Sequence, residues 1–323
     1  MKGTIKLFTR FVILGIPLYV MMLYAALRPM AYMPVEYAMW QEEKDYVESG
    51  KGADVIIVGD SRAKSGIIPE LLGEDVDSYN MAIGGCNSIE MYYAVKRYLA
   101  AHEAPGEALV IFAPYHFCDI DNWGQTMSFN YLDTSQLLSV YADAARLGET
   151  DKLGEHFFTD VFSYKLRLPN KYLASMYTAR VNGRLPENSA KYDSVRADKG
   201  YTQFGDEEGN DKLNYETHHE IFDTSPLVTL YYSRLLEELE AAGCSVKIIQ
   251  SPVNTASGEA ITEEFYKGFS SMMEGIKADH PDFTVETEVP VYDNKYFGDN
   301  NHLNRAGAEV FTAEIRERYF DAD

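Results

Sequence analysis

The chain has 323 residues, with 29 Lys plus Arg against 50 Asp plus Glu and a formal net charge of −21. That length has room for a full α/β domain and an appendage. The charge argues against a nucleic-acid binder, whose surface must neutralise phosphates, and for an acidic, soluble body.

Lys2, Lys6 and Arg10 precede an apolar run over residues 11–27, closed by Arg28 and Pro29. This run is at the short end of what spans a bilayer, and membrane helices tolerate its Gly15 and Pro17. A cleaved signal peptide is the alternative, but Tyr24-Ala25-Ala26-Leu27 is a poor small-x-small cleavage site. Residues 1–29 therefore read as an uncleaved signal anchor. The cations on its N-terminal side place the body outside the cytoplasm. Residues 30–52 are polar and helix-compatible, and Glu42-Glu43-Lys44-Asp45 reads as a solvated face. They form an expected stalk into a domain over residues 53–323.

The stretch VIIVGDSR, residues 55–62, organises that domain. Its four β-branched residues suit a buried parallel strand, and Gly59 allows a sharp turn. Ser61 then falls where strand gives way to helix, at the sheet edge where open α/β folds bind ligands. A hydroxyl beside helix N-terminal amides is placed to act as a nucleophile next to an oxyanion site, with Arg62 as a neighbouring binding candidate. An ordinary strand-turn-helix junction with a serine cap has the same local pattern.

A short helix or turn over 67–72 and a weak strand over 75–79 follow. Next comes Asn80-Met81-Ala82-Ile83-Gly84-Gly85-Cys86-Asn87-Ser88, leading into a helix over 89–101. The paired glycines permit close backbone approach, so an amide there can complete an oxyanion hole with that of Ser61. Residues 108–113 predict a third strand ending in Pro114-Tyr115-His116-Phe117, with His116 as an oxyanion donor, a pocket liner or a structural histidine. Residues 117–225 match no core pattern and read as one long insertion, a cap beside the site, with helical pieces over 135–147 and 171–181. His218-His219 lacks further ligands at convincing spacing, so no metal is expected. Cys86, Cys118 and Cys244 give no disulfide framework and read as buried thiols.

The core resumes with a helix over 226–242 and a strand over 245–250. Ser251-Pro252-Val253-Asn254 follows at the same sheet edge, making Asn254 a candidate polar liner. A helix over 262–280, a strand over 283–285 and a helix from the Asp299 loop to about residue 320 complete the pattern. In Asp299-Asn300-Asn301-His302, a carboxylate and an imidazole three residues apart can share one loop. Asp299 can then fix the tautomer of His302 while the other ring nitrogen reaches toward a hydroxyl. The expected fold is a flavodoxin-like three-layer α/β/α sandwich with a five-stranded parallel sheet of order 2-1-3-4-5.

Strand-Gly-Asp-Ser-helix near the start and Asp-x-x-His-Leu-Asn-helix at the end resemble the SGNH (GDSL-like) hydrolase superfamily. The resemblance covers about residues 53–115 and 225–320. It implies Ser61 as nucleophile, His302 as general base and Asp299 as its orienting partner, with no cofactor. The family's glycine block falls at Gly84-Gly85, which implies Gly85, or else Gly84, as an oxyanion donor. The family's Gly-x-Asn-Asp block is missing after the third strand. The architecture looks most like the membrane-anchored bacterial branch, which includes DltD-like proteins of teichoic acid D-alanylation and alginate O-acetylation proteins. That implies a serine acyltransferase or esterase, single-pass in the bacterial cell membrane, acting on a cell-wall or exported glycan or a teichoic-acid-like polymer. It also implies a membrane-bound O-acyltransferase as partner. The alternative is an inactive relative that binds glycan or scaffolds an export complex.

Overall fold

The structure, a computed structural model, describes residues 2–49, 51–120, 122–180 and 183–321. Five parallel strands form its central sheet: β1 (Val55–Gly59), β2 (Ser78–Asn80), β3 (Glu107–Ile111), β4 (Ser245–Ile248) and β5 (Thr284–Val285). Their order is β2-β1-β3-β4-β5. Successive residues of a strand point to opposite faces, and here both faces are apolar. Ile56, Val58, Ala108 and Val110 join one buried cluster, while Val55, Ile57, Leu109 and Ile111 join another.

The chain begins with α1 (Lys2–Ala26), whose stretch Gly3–Ala26 is long and apolar enough to cross a membrane and, apart from its buried end at Ala26, is largely uncovered by the rest of the protein. After it come α2 (Glu36–Glu48), α3 (Ser61–Gly66) and α4 (Ser88–Ala101). Asn87 starts α4 with a capping box: its side chain accepts from Ile89 N, and Glu90 accepts from Asn87 N. Five helices follow within the region expected as an insertion: α5 (Trp123–Phe129), α6 (Thr134–Leu147), α7 (Phe157–Lys165), α8 (Pro169–Ala179) and α9 (Leu185–Ala197). Of the two expected pieces, the first is α6, which starts one residue earlier and ends where anticipated. The second is α8, starting two residues earlier; Val181, its expected end, lies outside the described residues.

The core resumes with α10 (Pro226–Ala241), α11 (Thr255–Ala260), α12 (Glu263–Asp279) and α13 (Arg305–Tyr319). Residues of α2, α4, α10 and α12, among them Trp40, Ile89, Leu235 and Phe269, fill the first cluster. Ala63 of α3 with Ala308, Phe311 and Ile315 of α13 fills the second. A small parallel ribbon, Val253–Asn254 with Val291–Tyr292, is an addition to the expected elements.

The stalk reading needs correction. α2 packs on α4 and α9, and Tyr37, Trp40 and Val47 are buried. Glu42 and Glu43 are buried as well rather than solvated. Each has found a donor inside: Tyr79 Oη donates to Glu42 over 2.5 Å, and Tyr131 Oη to Glu43 over 2.7 Å. Lys64 and Arg97 supply nearby positive charge. Burial pushes the Glu43 carboxyl up to about 7, against the pull of Arg97.

Candidate active site

β1 ends at Gly59, whose φ of +156° lets the backbone turn against the Ile111 carbonyl, where a side chain would collide. Asp60 caps α3 by accepting from Arg62 N over 2.8 Å, and its other oxygen accepts from Ala113 N over 2.6 Å. One buried carboxylate thus fastens the turn after β1 to the exit of β3. Burial opposes its charge, but His116, the Ala113 amide and Arg62 outweigh that and hold it below the usual carboxylate range. Ser61 is the first residue of α3, so its N–H precedes the first intrahelical acceptor.

At the other end of the chain, the loop before α13 is closed by Gly298 N donating to His302 O and by a bridge between Phe297 and Leu303. Asn304 caps α13, accepting from Gly307 N over 3.0 Å. Within this loop Asp299 Oδ1 accepts from the amides of Asn301 and His302, each over 2.8 Å. His302 Nδ1 lies 2.8 Å from Asp299 Oδ2, and His302 Nε2 lies 2.8 Å from Ser61 Oγ. Burial of Asp299 opposes ionisation, yet the His302 ring and the two amides prevail and keep its carboxyl below the usual range. An anionic Asp299 makes Nδ1 the protonated nitrogen and leaves the Nε2 lone pair facing the Ser61 hydroxyl.

No protein-family model matches this sequence, and no curated protein matches it. The reading of the site therefore rests on its own geometry.

The glycine turn lies beside Ser61. Ile83 N and Cys86 Sγ both donate to the Gly59 carbonyl. Gly85 has φ +77°, a conformation that favours glycine. The Gly84 carbonyl accepts from Trp40 Nε1 over 2.9 Å, and a Cβ on Gly84 would sit 2.6 Å from Phe204 Cζ. Phe204 also packs against His302, with ring centroids 4.9 Å apart and the planes tilted by 37°, so the stretch after α9 covers the imidazole.

Arg62 is buried and points at cap and loop together. Its Nη2 lies 2.6 Å from Glu216 Oε2 and donates to Asn301 Oδ1 over 3.2 Å. Burial works against the guanidinium charge, and Glu216 more than restores it. His116 is buried with Nδ1 2.9 Å from Asp60 Oδ2. It therefore supports the turn that presents Ser61.

Asn254 does not line the site. Its amide donates to the carbonyls of Asn210 and Lys212, and its oxygen caps α11 through Ser257 N. Both halves are spent on holding the chain. His218 is exposed, and His219 lies 3.7 Å from Asp119; among the described residues no group of His, Cys, Asp or Glu is placed to hold a metal. The three cysteines are free and buried. Trp40, Phe204, Glu216 and Asn301 join the site without any signal in the local sequence pattern.

Proposed function

We propose that this chain is an SGNH-type serine acyltransferase or esterase of flavodoxin-like fold, acting outside the cytoplasm on acyl groups of a cell-wall or exported polysaccharide. The observation that carries this reading is the continuous relay from Ser61 Oγ through both ring nitrogens of His302 to Asp299. The 2-1-3-4-5 sheet, with Ser61 at its C-terminal edge, supports the family resemblance.

In the proposed reaction Ser61 Oγ attacks the acyl carbonyl as His302 Nε2 takes its proton. The Ser61 and Gly85 amides receive the developing oxyanion. His302 returns the proton to the leaving oxygen, which departs and leaves an ester on Ser61. A sugar hydroxyl or water then attacks that ester, His302 taking its proton and passing it to Ser61 as the acyl group leaves. Asp299 holds the imidazole and balances its transient charge. A membrane-bound O-acyltransferase is the proposed source of the acyl group, and α1 would keep the two together.

The test uses the full chain in detergent. Release of an aryl leaving group from a small activated ester and an acyl adduct on Ser61 by mass spectrometry are expected, both lost in Ser61→Ala. Absence of either signal, even with the acyltransferase partner and an acceptor oligosaccharide present, would replace this reading with the idle glycan-binding or scaffold protein.

A further inference from the structure

The helical hairpin α7–α8 carries an apolar face that no other described residue covers. Phe158, Phe162 and Leu166 follow one another at four-residue spacing, with exposures of 56%, 62% and 50%. Leu173 and Tyr177, at the same spacing on α8, are 47% and 88% exposed. Such spacing puts each set on one side of its helix.

The hairpin is also fixed to the apolar N-terminal helix. α8 packs against α1, and Tyr32 joins them by donating to Ala26 O over 2.8 Å while its ring meets that of Tyr172. Asn188 of α9 donates to the carbonyls of Met30 and Met33, clasping the segment where the chain leaves α1. Between α1 and α8 runs a groove of about 390 Å³, walled by Leu18, Met21, Met22 and Met176, with Arg28 and Arg180 also on its lining. Leu18 and Ala26, the last residue of α1, are about 12 Å apart along the helical rise, a little under half the hydrocarbon thickness of a bilayer. If α1 spans a membrane, the groove lies within the outer leaflet, and the neighbouring apolar face of the hairpin lies at its surface.

Charge identifies the occupant. Residues 157–184 carry Lys165, Arg167, Lys171, Arg180 and Arg184 against Asp160 alone, within a chain of net charge −21; Lys165 turns inward to the Leu132 carbonyl and Lys171 pairs with Asp160, which leaves Arg167, Arg180 and Arg184 as the local excess. A local basic excess joined to exposed aromatic and aliphatic residues is the pattern of an element that lies in an anionic lipid interface. We propose that the α7–α8 hairpin is a second membrane-contact element and that the α1–α8 groove holds a phospholipid acyl chain, with its phosphate between Arg28 and Arg180. This inference rests on the membrane reading of α1 and is independent of the acyl-transfer chemistry. Its consequence is that the catalytic domain is held in one orientation against the bilayer instead of swinging on a tether.

The experiment places spin labels on the full chain in bilayers containing phosphatidylglycerol, through Phe162→Cys, Tyr177→Cys, Leu14→Cys and Glu274→Cys, the native thiols being buried. Labels at 14, 162 and 177 should meet oxygen freely and exclude a water-soluble nickel complex, while the label at 274 behaves as aqueous. Position 14 in lipid with 162 and 177 in water overturns this inference alone. Position 14 in water overturns the membrane helix and this inference with it. Labels at 162 and 177 shielded from both reagents would mark a protein partner, such as a second copy, and also overturn it. Native mass spectrometry of the full chain should show retained phosphatidylglycerol, reduced roughly tenfold or more in R28S/R180S; equal retention removes the phosphate site.

Discussion

Trp40 on α2 donates its indole N–H to the carbonyl of Gly84 across 2.9 Å, tying the helix that follows the apolar N-terminal segment to the glycine turn beside Ser61. By the helical rise, Trp40 lies only about 6 Å along α2 from its first residue. The glycine turn is thus anchored to the first turns of α2.

Trp40→Phe tests whether that bond positions the glycine turn. The edge-to-face packing on Phe129 and Tyr131 has a smaller ring to accept, but the N–H is gone and the Gly84 carbonyl loses its donor. A buried group left unpaired costs about 1–3 kcal/mol. The expectation is a fall in kcat of about tenfold on an aryl ester, with KM little changed. A stability loss with kcat intact would make Trp40 a core residue only.

Gly85→Ala tests the oxyanion assignment. An added Cβ would meet Gln125 Oε1 at 3.0 Å and Asn122 Nδ2 at 3.2 Å, in a backbone with φ +77°. Gly148 has φ +78° with nothing within 4 Å of its would-be Cβ, and it serves as a matched control. Both variants should lose about 1–2 kcal/mol from the left-handed backbone. Only Gly85→Ala should lose activity, because its added Cβ shifts the amide that the substitution itself retains; the loss should approach the roughly hundredfold effect of one oxyanion donor as the amide is moved out of reach. Equal activity in the two would move that role elsewhere.

What the sequence discloses follows from how local each signal is. Ser61 is legible because a β-branched run, a glycine and a helix start fall within eight residues, and Asp299 with His302 because one loop carries both. Parallel strands separated by amphipathic helices disclose the α/β class, and the sheet order comes from the flavodoxin-like pattern and the resemblance, not from any one segment. α2 escapes because its two acids resemble a solvated face until Tyr79 and Tyr131 are brought to them. Glu216 lies 154 residues from its partner Arg62, and no local pattern marks it. Asn254 misleads in the opposite sense. Its position at a strand end suggests a site, but its side chain is consumed by backbone partners that only the fold reveals.

The buried Glu43 gives a prediction in pH. Its folded carboxyl is raised from an ordinary 4.5 to about 7, chiefly by burial. Between these values the folded state binds a proton that the unfolded state has lost. This group therefore makes stability fall as pH rises through that window, by up to about 1.4 kcal/mol per pH unit. Glu43→Gln removes the proton and can still accept from Tyr131. Denaturant unfolding should show the variant gaining on the wild type as pH goes from 5 to 8. A difference independent of pH would mean Glu43 does not take up a proton on folding.

The pair Arg62–Glu216 gives the most stringent test, because through Arg62 it joins the segment carrying Glu216 to the Asp299–His302 loop. Both side chains are buried, and their contact is 2.6 Å. Arg62 also donates to Asn301, whose backbone N–H in turn donates to Asp299, so the chain of contacts runs from cap to triad. Glu216→Gln leaves a guanidinium in the interior without its counter-charge, and breaking such a pair costs about 3–5 kcal/mol. The double variant R62M/E216L removes both charges and fills similar volume, so it should recover most of that stability. The two changes will not add, since they act through one contact. Activity should separate from stability: Asn301 in the double variant keeps only the longer bond from Tyr215 N, having lost the one from Arg62, and the Asp299 loop is less firmly set. The expected outcome is a folded protein with near-normal melting and a kcat reduced about tenfold or more. Wild-type melting in Glu216→Gln would show that the pair is solvated. Full activity in the double variant would show that Arg62 holds the cap in place and does nothing for the position of His302.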